Sequence, residues 1–174
     1  QNLMAFVAAG KVVITSSAKH PARKLCGIGK GLRTKVNANI GTSTDFASLD
    51  TELAKLAAAE AAGADTVMDL STGGNIRAIR QAIIERASVP VGSVPIYEAG
   101  VTAATRRGSV LEMTAGDMLE GLKSHIDDGV AFVTLHCGIT KNTVDVLKKN
   151  PRLCGIVSRG GTFLAHWIAS TGQE

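Results

Sequence analysis

Apolar and polar positions alternate along this chain in blocks that predict strands and helices in turn. Their spacing is about thirty residues, the length of a strand-helix unit rather than of a hairpin. Each block has a β-branched apolar run that ends in small or polar residues before a helical pattern: "LRTKVNANIGTS", "GADTVMDLSTGG", "VPVGSVPIYEAG", "VAFVTLHCGIT" and "CGIVSRGGTF". The pattern predicts five parallel strands joined by right-handed helical crossovers.

Three of the intervening segments have the periodicity of amphipathic helices. Apolar residues three and four apart form one stripe on each: Leu49, Leu53 and Leu56; Ile76, Ile79 and Ile83; Leu119, Leu122 and Ile126. Gly63 and Gly129 are the expected stops of the first and third helices. Thr114 and Asp117 resemble a capping box at the start of the third.

Two architectures fit this order of elements, a doubly wound open sheet and a (β/α)8 barrel. No GxGxxG motif follows the first strand, whereas polar residues stand at the carboxyl end of every predicted strand, where barrel enzymes have their active sites. We therefore predict an α/β fold of the TIM-barrel type. A closed barrel needs eight strands and about 250 residues, so this chain supplies about five βα units of an incomplete barrel. Residues 1–33 form a lead-in segment and residues 34–174 the five units.

Composition and charge narrow the class of partner. The chain of 174 residues is 45% hydrophobic but only 3% aromatic, as expected for an aliphatic α/β core. A formal charge of +4, spread among acidic residues, favours neither nucleic acid nor membrane. Three cysteines without metal-ligand spacing predict free thiols in a reducing compartment, and the sequence shows no signal peptide or membrane-length apolar run. We expect a cytoplasmic protein.

Polar residues near the predicted strand ends are the candidates for ligand binding. Asn37 and Asn39 share one face of a strand, and an amide suits a heterocycle or a ribose hydroxyl, or else it ties down the following loop. Met68 is by residue type more often core than a ligand contact. Tyr97, at the predicted end of the third strand, either packs or donates to phosphate or ribose.

The ends of the last two predicted strands have the most specific candidate binding residues. His136 ends the fourth strand, where an imidazole serves as acid, base or donor. Ser158, Arg159 and Gly160 end the fifth, and a hydroxyl, a guanidinium, close backbone N–H groups and the start of a helix together suit a phosphate. The alternative is a tight turn that uses glycine for geometry alone. The remaining histidines lie at no ligand spacing from His136, so no metal site is predicted within this chain.

Taken together and in this order, "NANIGTS", "GADTVMDLSTGG", "VPVGSVPIYEA", "HCGIT" and "GIVSRGG" resemble the ThiC family of phosphomethylpyrimidine synthases from about Lys11 to Glu174. The resemblance implies a radical S-adenosylmethionine lyase that converts 5-aminoimidazole ribonucleotide to hydroxymethylpyrimidine phosphate in thiamine biosynthesis, with a 4Fe-4S cluster, zinc and a homodimeric state. It also implies substrate contacts by residues that match the family motifs: Asn39, Met68, Tyr97, His136, Ser158, Arg159 and Gly160.

Several family motifs match nothing in this sequence. They are the "DGLRPG" stretch, a catalytic-site Glu, two zinc-binding His residues and the Cys-x-x-Cys-x4-Cys of the cluster, all expected beyond Glu174. Because the chain also begins with Gln1, we expect it to be the amino-terminal part of a longer product and inactive alone. Two alternatives stay open: 5-hydroxybenzimidazole synthase, which uses the same ribotide for a cobamide ligand, and a short non-catalytic protein that binds a phosphorylated ligand or a partner.

Overall fold

The computed structural model describes residues 3–21 and 23–174, which divide into two compact units. The sheet unit comprises residues 1–93 and 124–133, and the helical unit comprises residues 94–123 and 134–174. Residues 1, 2 and 22 of the predicted lead-in segment lie outside the described residues. Every helix of the described part falls short of the length and apolar character needed to span a membrane.

The sheet unit contains four of the five predicted parallel strands. A short helix α1 (Leu3–Ala8) precedes an antiparallel pair, β1 (Val12–Thr15) and β2 (Cys26–Gly29). The main sheet has four parallel strands in sequential order: β3 (Asn37–Ile40), β4 (Thr66–Asp69), β5 (Val91–Ser93) and β6 (Phe132–Val133). Helices α2 (Leu49–Ala61) and α3 (Ile76–Arg86) form the first two crossovers. The α/β class and the parallel strand order are thus confirmed.

Alternate strand residues and two helix stripes build the core of the sheet unit. Ile40, Val67 and Val91 pack with the predicted faces of α2 and α3, where Leu56 and Ile83 are fully buried. Ser48 and Asn75 cap the two helices by accepting hydrogen bonds from backbone N–H groups of the first turn. Because strand and helix periods both point apolar side chains to the same layer, this core follows from the sequence pattern.

The helical unit contains α4 (Pro95–Arg107), a 3-10 turn (Val110–Glu112), most of α5 (Ala115–Asp128), α6 (Lys141–Lys149) and α7 (Arg159–Thr171). Val144, Ala165, Trp167 and Ile168 form one buried hydrophobic cluster, and the unit also buries Val94, Ile96, Ala99, Ala103 and Met113. The indole Nε1 of Trp167 donates to the carbonyl of Met113 at 2.6 Å. The predicted capping box is confirmed, because Thr114 and Asp117 exchange side-chain to backbone hydrogen bonds in both directions.

Two strand predictions are wrong. Tyr97 lies in the first turn of α4 rather than at a strand end, because Pro95 occupies a position that suits the start of a helix and β5 already ends at Ser93. The segment Gly155–Val157 forms no strand and leads directly into α7. Gly155 has a φ of 59°, which breaks the extended backbone that a fifth strand would need.

The predicted apolar stripe of α5 is also wrong as a core face. Leu119 and Ile126 are 68% and 55% exposed, whereas His125 and Asp128 of the same helix are buried. His125 and Asp128 are buried because they form hydrogen bonds with a hydroxyl and a charged group of the sheet unit, and these bonds compensate the cost of their desolvation. Of the predicted stop signals, Gly129 has a φ of 94° directly after the helix, as expected of a C-terminal glycine.

Candidate functional site

The residues predicted to bind substrate fall into two groups, one in each unit. Asn39 and Met68 belong to the sheet unit. The other five belong to the helical unit: Tyr97, His136, Ser158, Arg159 and Gly160.

In the sheet unit, Asn39 and Met68 are register partners on neighbouring strands β3 and β4. One residue pair earlier, Asn37 and Thr66 are partners in the same register. The Asn37 Nδ2 group donates to Asn39 Oδ1 at 3.0 Å, which confirms that the two asparagines share a face. The Thr66 hydroxyl donates to Asn37 Oδ1 at 2.8 Å.

The loops that follow β3 and β4 are fixed to each other just beyond these residues. The Thr42 hydroxyl donates to the Gly73 carbonyl at 2.7 Å, and the Thr42 amide donates to Ser71 Oγ at 3.1 Å. A side chain on Gly73 would overlap the Ser43 carbonyl, so this approach requires glycine. Ser71 in turn donates from both its amide and its hydroxyl to Asp69 Oδ1. Burial raises the pKa of Asp69, and the hydrogen bonds from Ser71 oppose the rise.

A buried polar network in the same unit has no counterpart among the sequence predictions. The Arg80 guanidinium donates to Asp128 Oδ2 at 2.5 and 3.1 Å and lies 2.9 Å from His125 Nε2. Since guanidinium only donates, His125 Nε2 accepts, and its Nδ1–H donates to Ser93 Oγ at 2.7 Å. Burial raises the pKa of Asp128, but donation from Arg77, Arg80 and other neighbours outweighs it and lowers the net value. Arg80 and Ser93 lie far in sequence from His125 and Asp128, so no local pattern indicates this network.

In the helical unit, the N-terminus of α7 brings three of the predicted residues together. Ser158 is the N-cap, and its Oγ accepts from the Gly161 amide at 3.1 Å. The same Oγ lies 3.1 Å from His136 Nε2. A side chain on Gly160 would overlap the His136 ring, so the imidazole rests directly on the backbone of the first helical turn. The "SRG" triplet thus needs glycine for a close approach to His136.

An aromatic contact adds Arg159 and Tyr97 to this cluster. The Arg159 guanidinium carbon stands 5.4 Å from the centroid of the Tyr97 ring, within the range of a cation–π interaction. Phe163 packs edge-on against the same ring, with centroids 6.3 Å apart. The structure therefore groups all five predicted residues of the helical unit: Tyr97, His136, Ser158, Arg159 and Gly160.

The electrostatics of this cluster suit an anion. The N-terminus of a helix of 13 residues carries a partial positive charge. Ser158 and Arg159 are exposed, and burial lowers the pKa of His136, so the ring is neutral near pH 7 and keeps one N–H to donate. A cavity of about 240 Å³ borders His136 and Ser158 and is also lined by Arg152, a cation that the sequence analysis missed. In the sequence, Arg152 is a lone arginine between Pro151 and Leu153, and no motif around it indicates ligand binding.

Metal ligands are not assembled in the part of the chain that the structure describes. Residues 3–21 and 23–174 contain no group of three or more His, Cys, Asp or Glu side chains placed to hold an ion. Cys26, Cys137 and Cys154 are free thiols, the first buried and the other two exposed. These residues therefore do not fit an iron-sulfur cluster or a zinc site by themselves.

Comparison with known proteins shows that the chain is similar to members of one enzyme family. A family model described as the Radical SAM ThiC family matches residues 1–174. A phosphomethylpyrimidine synthase of Dehalococcoides mccartyi is 52% identical over 168 residues, 97% of this chain and 39% of that protein. Those of Moorella thermoacetica and Pyrococcus furiosus are 50% and 47% identical over all 174 residues, or 40% and 41% of their own lengths. The chain spans about two fifths of the length of the curated relatives it matches.

Proposed function

We propose a function for this chain from the fact that it belongs to the radical SAM ThiC family. The complete protein acts as a phosphomethylpyrimidine synthase, which converts 5-aminoimidazole ribonucleotide to 4-amino-5-hydroxymethyl-2-methylpyrimidine phosphate in thiamine biosynthesis. Curated relatives with this name are 47–52% identical to the chain, which supports the assignment. This chain contributes substrate-binding groups to that enzyme.

The observation that carries the proposal is the cluster at the N-terminus of α7. A ribotide phosphate is a dianion, and backbone N–H groups, the Ser158 hydroxyl and the Arg159 guanidinium are the donors that bind such a group most strongly. His136 lies against Gly160 and within hydrogen-bond distance of Ser158, so its imidazole reaches the same anion. Tyr97, held between Arg159 and Phe163, serves the ribose phosphate region.

In the sheet unit, Asn39 and Met68 supply the contacts for the aminoimidazole ring. They are partners on adjacent strands, so an amide and a thioether lie side by side. An amide gives a ring directional hydrogen bonds, and the flexible, polarizable Met side chain packs against its face.

Family membership implies S-adenosylmethionine and an iron-sulfur cluster as cofactors. Residues 3–21 and 23–174 do not assemble a ligand set for a cluster or for zinc, so the role proposed for them is to hold the ribotide. The resemblance further supports a (β/α)8 barrel, zinc, a homodimer and a cytoplasmic location, and these belong to the proposal. We expect this chain alone to be inactive.

Substitution of the cap residue tests the phosphate role. In the complete polypeptide of the source organism, Ser158→Ala should weaken 5-aminoimidazole ribonucleotide binding about tenfold in titration calorimetry, because one hydrogen bond to a charged group is lost. Ser48→Ala is the matched control, since Ser48 caps α2 in the same way but is assigned no ligand. Equal affinity of wild type and Ser158→Ala would refute the phosphate role. Mass spectrometry of the turnover product distinguishes the pyrimidine phosphate from 5-hydroxybenzimidazole.

A further inference from the structure

We propose that Thr66 and Asn37 are positioning residues that orient the side-chain amide of Asn39, so that it presents its N–H donors to the ligand. The site then recognises a hydrogen-bond acceptor on the substrate ring rather than a donor. This inference deepens the proposed function and rests on it. Three side chains on one face of β3 and β4 support it, and two hydrogen bonds join them in a chain.

The chain begins at a buried hydroxyl. Thr66 is 3% exposed, and its side chain makes one hydrogen bond among the described residues, at 2.8 Å to Asn37 Oδ1. A hydroxyl has one proton to place and two lone pairs. Leaving that buried proton without an acceptor costs a full desolvation penalty, whereas an unused lone pair on a hydroxyl that already has a partner costs less. Thr66 therefore donates, and Asn37 must turn its carbonyl oxygen toward it.

That orientation determines the rest of the chain. With Asn37 Oδ1 facing Thr66, Asn37 Nδ2 faces Asn39 and donates to its Oδ1 at 3.0 Å. If the Asn37 amide were reversed, its nitrogen would donate to Thr66 and the buried hydroxyl proton would lose its acceptor. One buried threonine thus selects one of the two amide orientations at Asn39.

The consequence for recognition concerns the free end of Asn39. Its Oδ1 is occupied, and no described residue accepts from its Nδ2, which keeps both N–H groups for a ligand. The aminoimidazole ring of the proposed substrate offers one ring nitrogen with a lone pair as acceptor and an exocyclic amino group as donor. Asn39 therefore pairs with the ring nitrogen. The thioether side chain of its neighbour Met68 has no N–H or hydroxyl group to donate.

The test uses two ligands and the complete polypeptide. The probes are 5-aminoimidazole ribonucleotide and its aminopyrrole analogue, in which a C–H replaces the ring nitrogen acceptor. Wild type should bind the imidazole about tenfold more tightly than the pyrrole, the discrimination expected of one hydrogen bond. Thr66→Val removes the proton at constant shape and should reduce the ratio to about threefold or less, whereas Thr66→Ser should keep it.

Asn37→Asp should change the discrimination between the two ligands more than Thr66→Val does. A carboxylate accepts only, so Asn39 turns its nitrogen toward residue 37 and its carbonyl toward the ligand. The imidazole should then lose about tenfold in affinity and the ratio should fall to about one. Asn37→Ala removes the donor without adding charge and should give an intermediate ratio. Melting temperatures of all variants within a few degrees of wild type separate this effect from misfolding.

Each outcome is decisive. A wild-type protein that binds neither ribotide refutes the proposed function itself. A wild type that binds both equally, or variants that keep the wild-type ratio, overturns the positioning role while leaving the phosphate site intact. Loss of discrimination in Thr66→Val and Asn37→Asp, with retention in Thr66→Ser, confirms it.

Discussion

The sheet unit and the helical unit differ in what they bury. In the sheet unit, ten hydrophobic residues form one buried cluster, and Arg80, Asp128 and His125 are buried with hydrogen-bond partners. The helical unit buries mainly apolar side chains: a cluster of Val144, Ala165, Trp167 and Ile168, and also Val94, Ile96, Ala99, Ala103 and Met113. Its five predicted ligand contacts form one group at the N-terminus of α7.

This difference predicts that substitutions in the two regions affect different properties: folding stability in the buried network and ligand affinity at the N-terminus of α7. Substitutions in the buried network of the sheet unit remove partners from groups that no water reaches, so they should cost folding free energy. Substitutions at the N-terminus of α7 affect exposed donors and should cost ligand affinity. Four predictions test this division, beginning with the largest effect.

Asp128→Ala should destabilise the sheet unit by about 3–5 kcal/mol, because it leaves the fully buried Arg80 cation without its carboxylate. The urea midpoint of the far-ultraviolet circular dichroism transition, in the complete polypeptide, measures the loss. Arg77→Ala is the matched control. Arg77 contacts the same carboxylate but its side chain is 56% exposed, so its removal should cost about 0–1 kcal/mol. Equal losses would show that the burial of Arg80 has no energetic role.

Trp167→Phe should destabilise the helical unit by about 1–3 kcal/mol, since the buried Met113 carbonyl would lose the indole donor. Hydrogen exchange measured on peptides of α7 should show reduced protection, while peptides of β4 and β5 keep theirs. His166→Ala, on the exposed face of the same helix, should leave both within about 0.5 kcal/mol of wild type. A uniform loss across both units would contradict the separation.

The sequence pattern predicted most of the sheet unit because its elements obey simple periods. Strands β3 to β5 and the stripe of α3 bury what the period-two and 3.6-residue patterns indicate, as Val67 and Ile83 show, whereas in the stripe of α2 Leu56 is buried and Leu49 is exposed. It failed where one residue overrode the period. Pro95 began a helix inside an apolar run, which moved Tyr97 from a strand end to a helix, and Gly155 interrupted the expected fifth strand.

The features of the candidate site also divide into those that the local sequence indicates and those that only the fold creates. The group at α7 was predictable because hydroxyl, guanidinium and glycine stand next to one another in sequence. The partners of Arg80 were not, since Asp128 and His125 contact it only through the fold and their sequence neighbours indicate an amphipathic helix. The packing of Gly160 against His136 joins residues from separate segments, and no local pattern encodes it.

Gly160→Ala should lower ribotide affinity at least about tenfold, because the added methyl group would overlap the His136 ring and displace it from Ser158. Gly138→Ala is the control, since it lies two residues from His136 and its added methyl group would meet open space. Calorimetric titration with 5-aminoimidazole ribonucleotide measures both. Unchanged affinity in Gly160→Ala would show that the His136 position has no part in binding.

The smallest effect is a difference in pH dependence between the units. Burial lowers the pKa of His136 from its ordinary value near 6.5, so the unfolded chain binds a proton more readily than the folded one. The stability that the neutral ring contributes is complete above the unfolded pKa and is lost as pH falls through the lower folded value. Asp128, whose pKa is lowered from 3.8, keeps its contribution until pH falls below that value.

Fluorescence of Trp167, the single tryptophan of this sequence, reports the helical unit and therefore measures the His136 effect. Between about pH 7.5 and pH 5.5, a range that contains the ordinary His pKa, the wild-type melting temperature should fall further than that of His136→Gln, because glutamine keeps a neutral hydrogen-bonding group that does not titrate. Asp128→Asn should parallel wild type over this range, since no proton binds Asp128 there. Parallel curves for wild type and His136→Gln would mean that His136 titrates equally in the folded and unfolded chains, and the neutral imidazole assigned to the phosphate site would lose its physical basis.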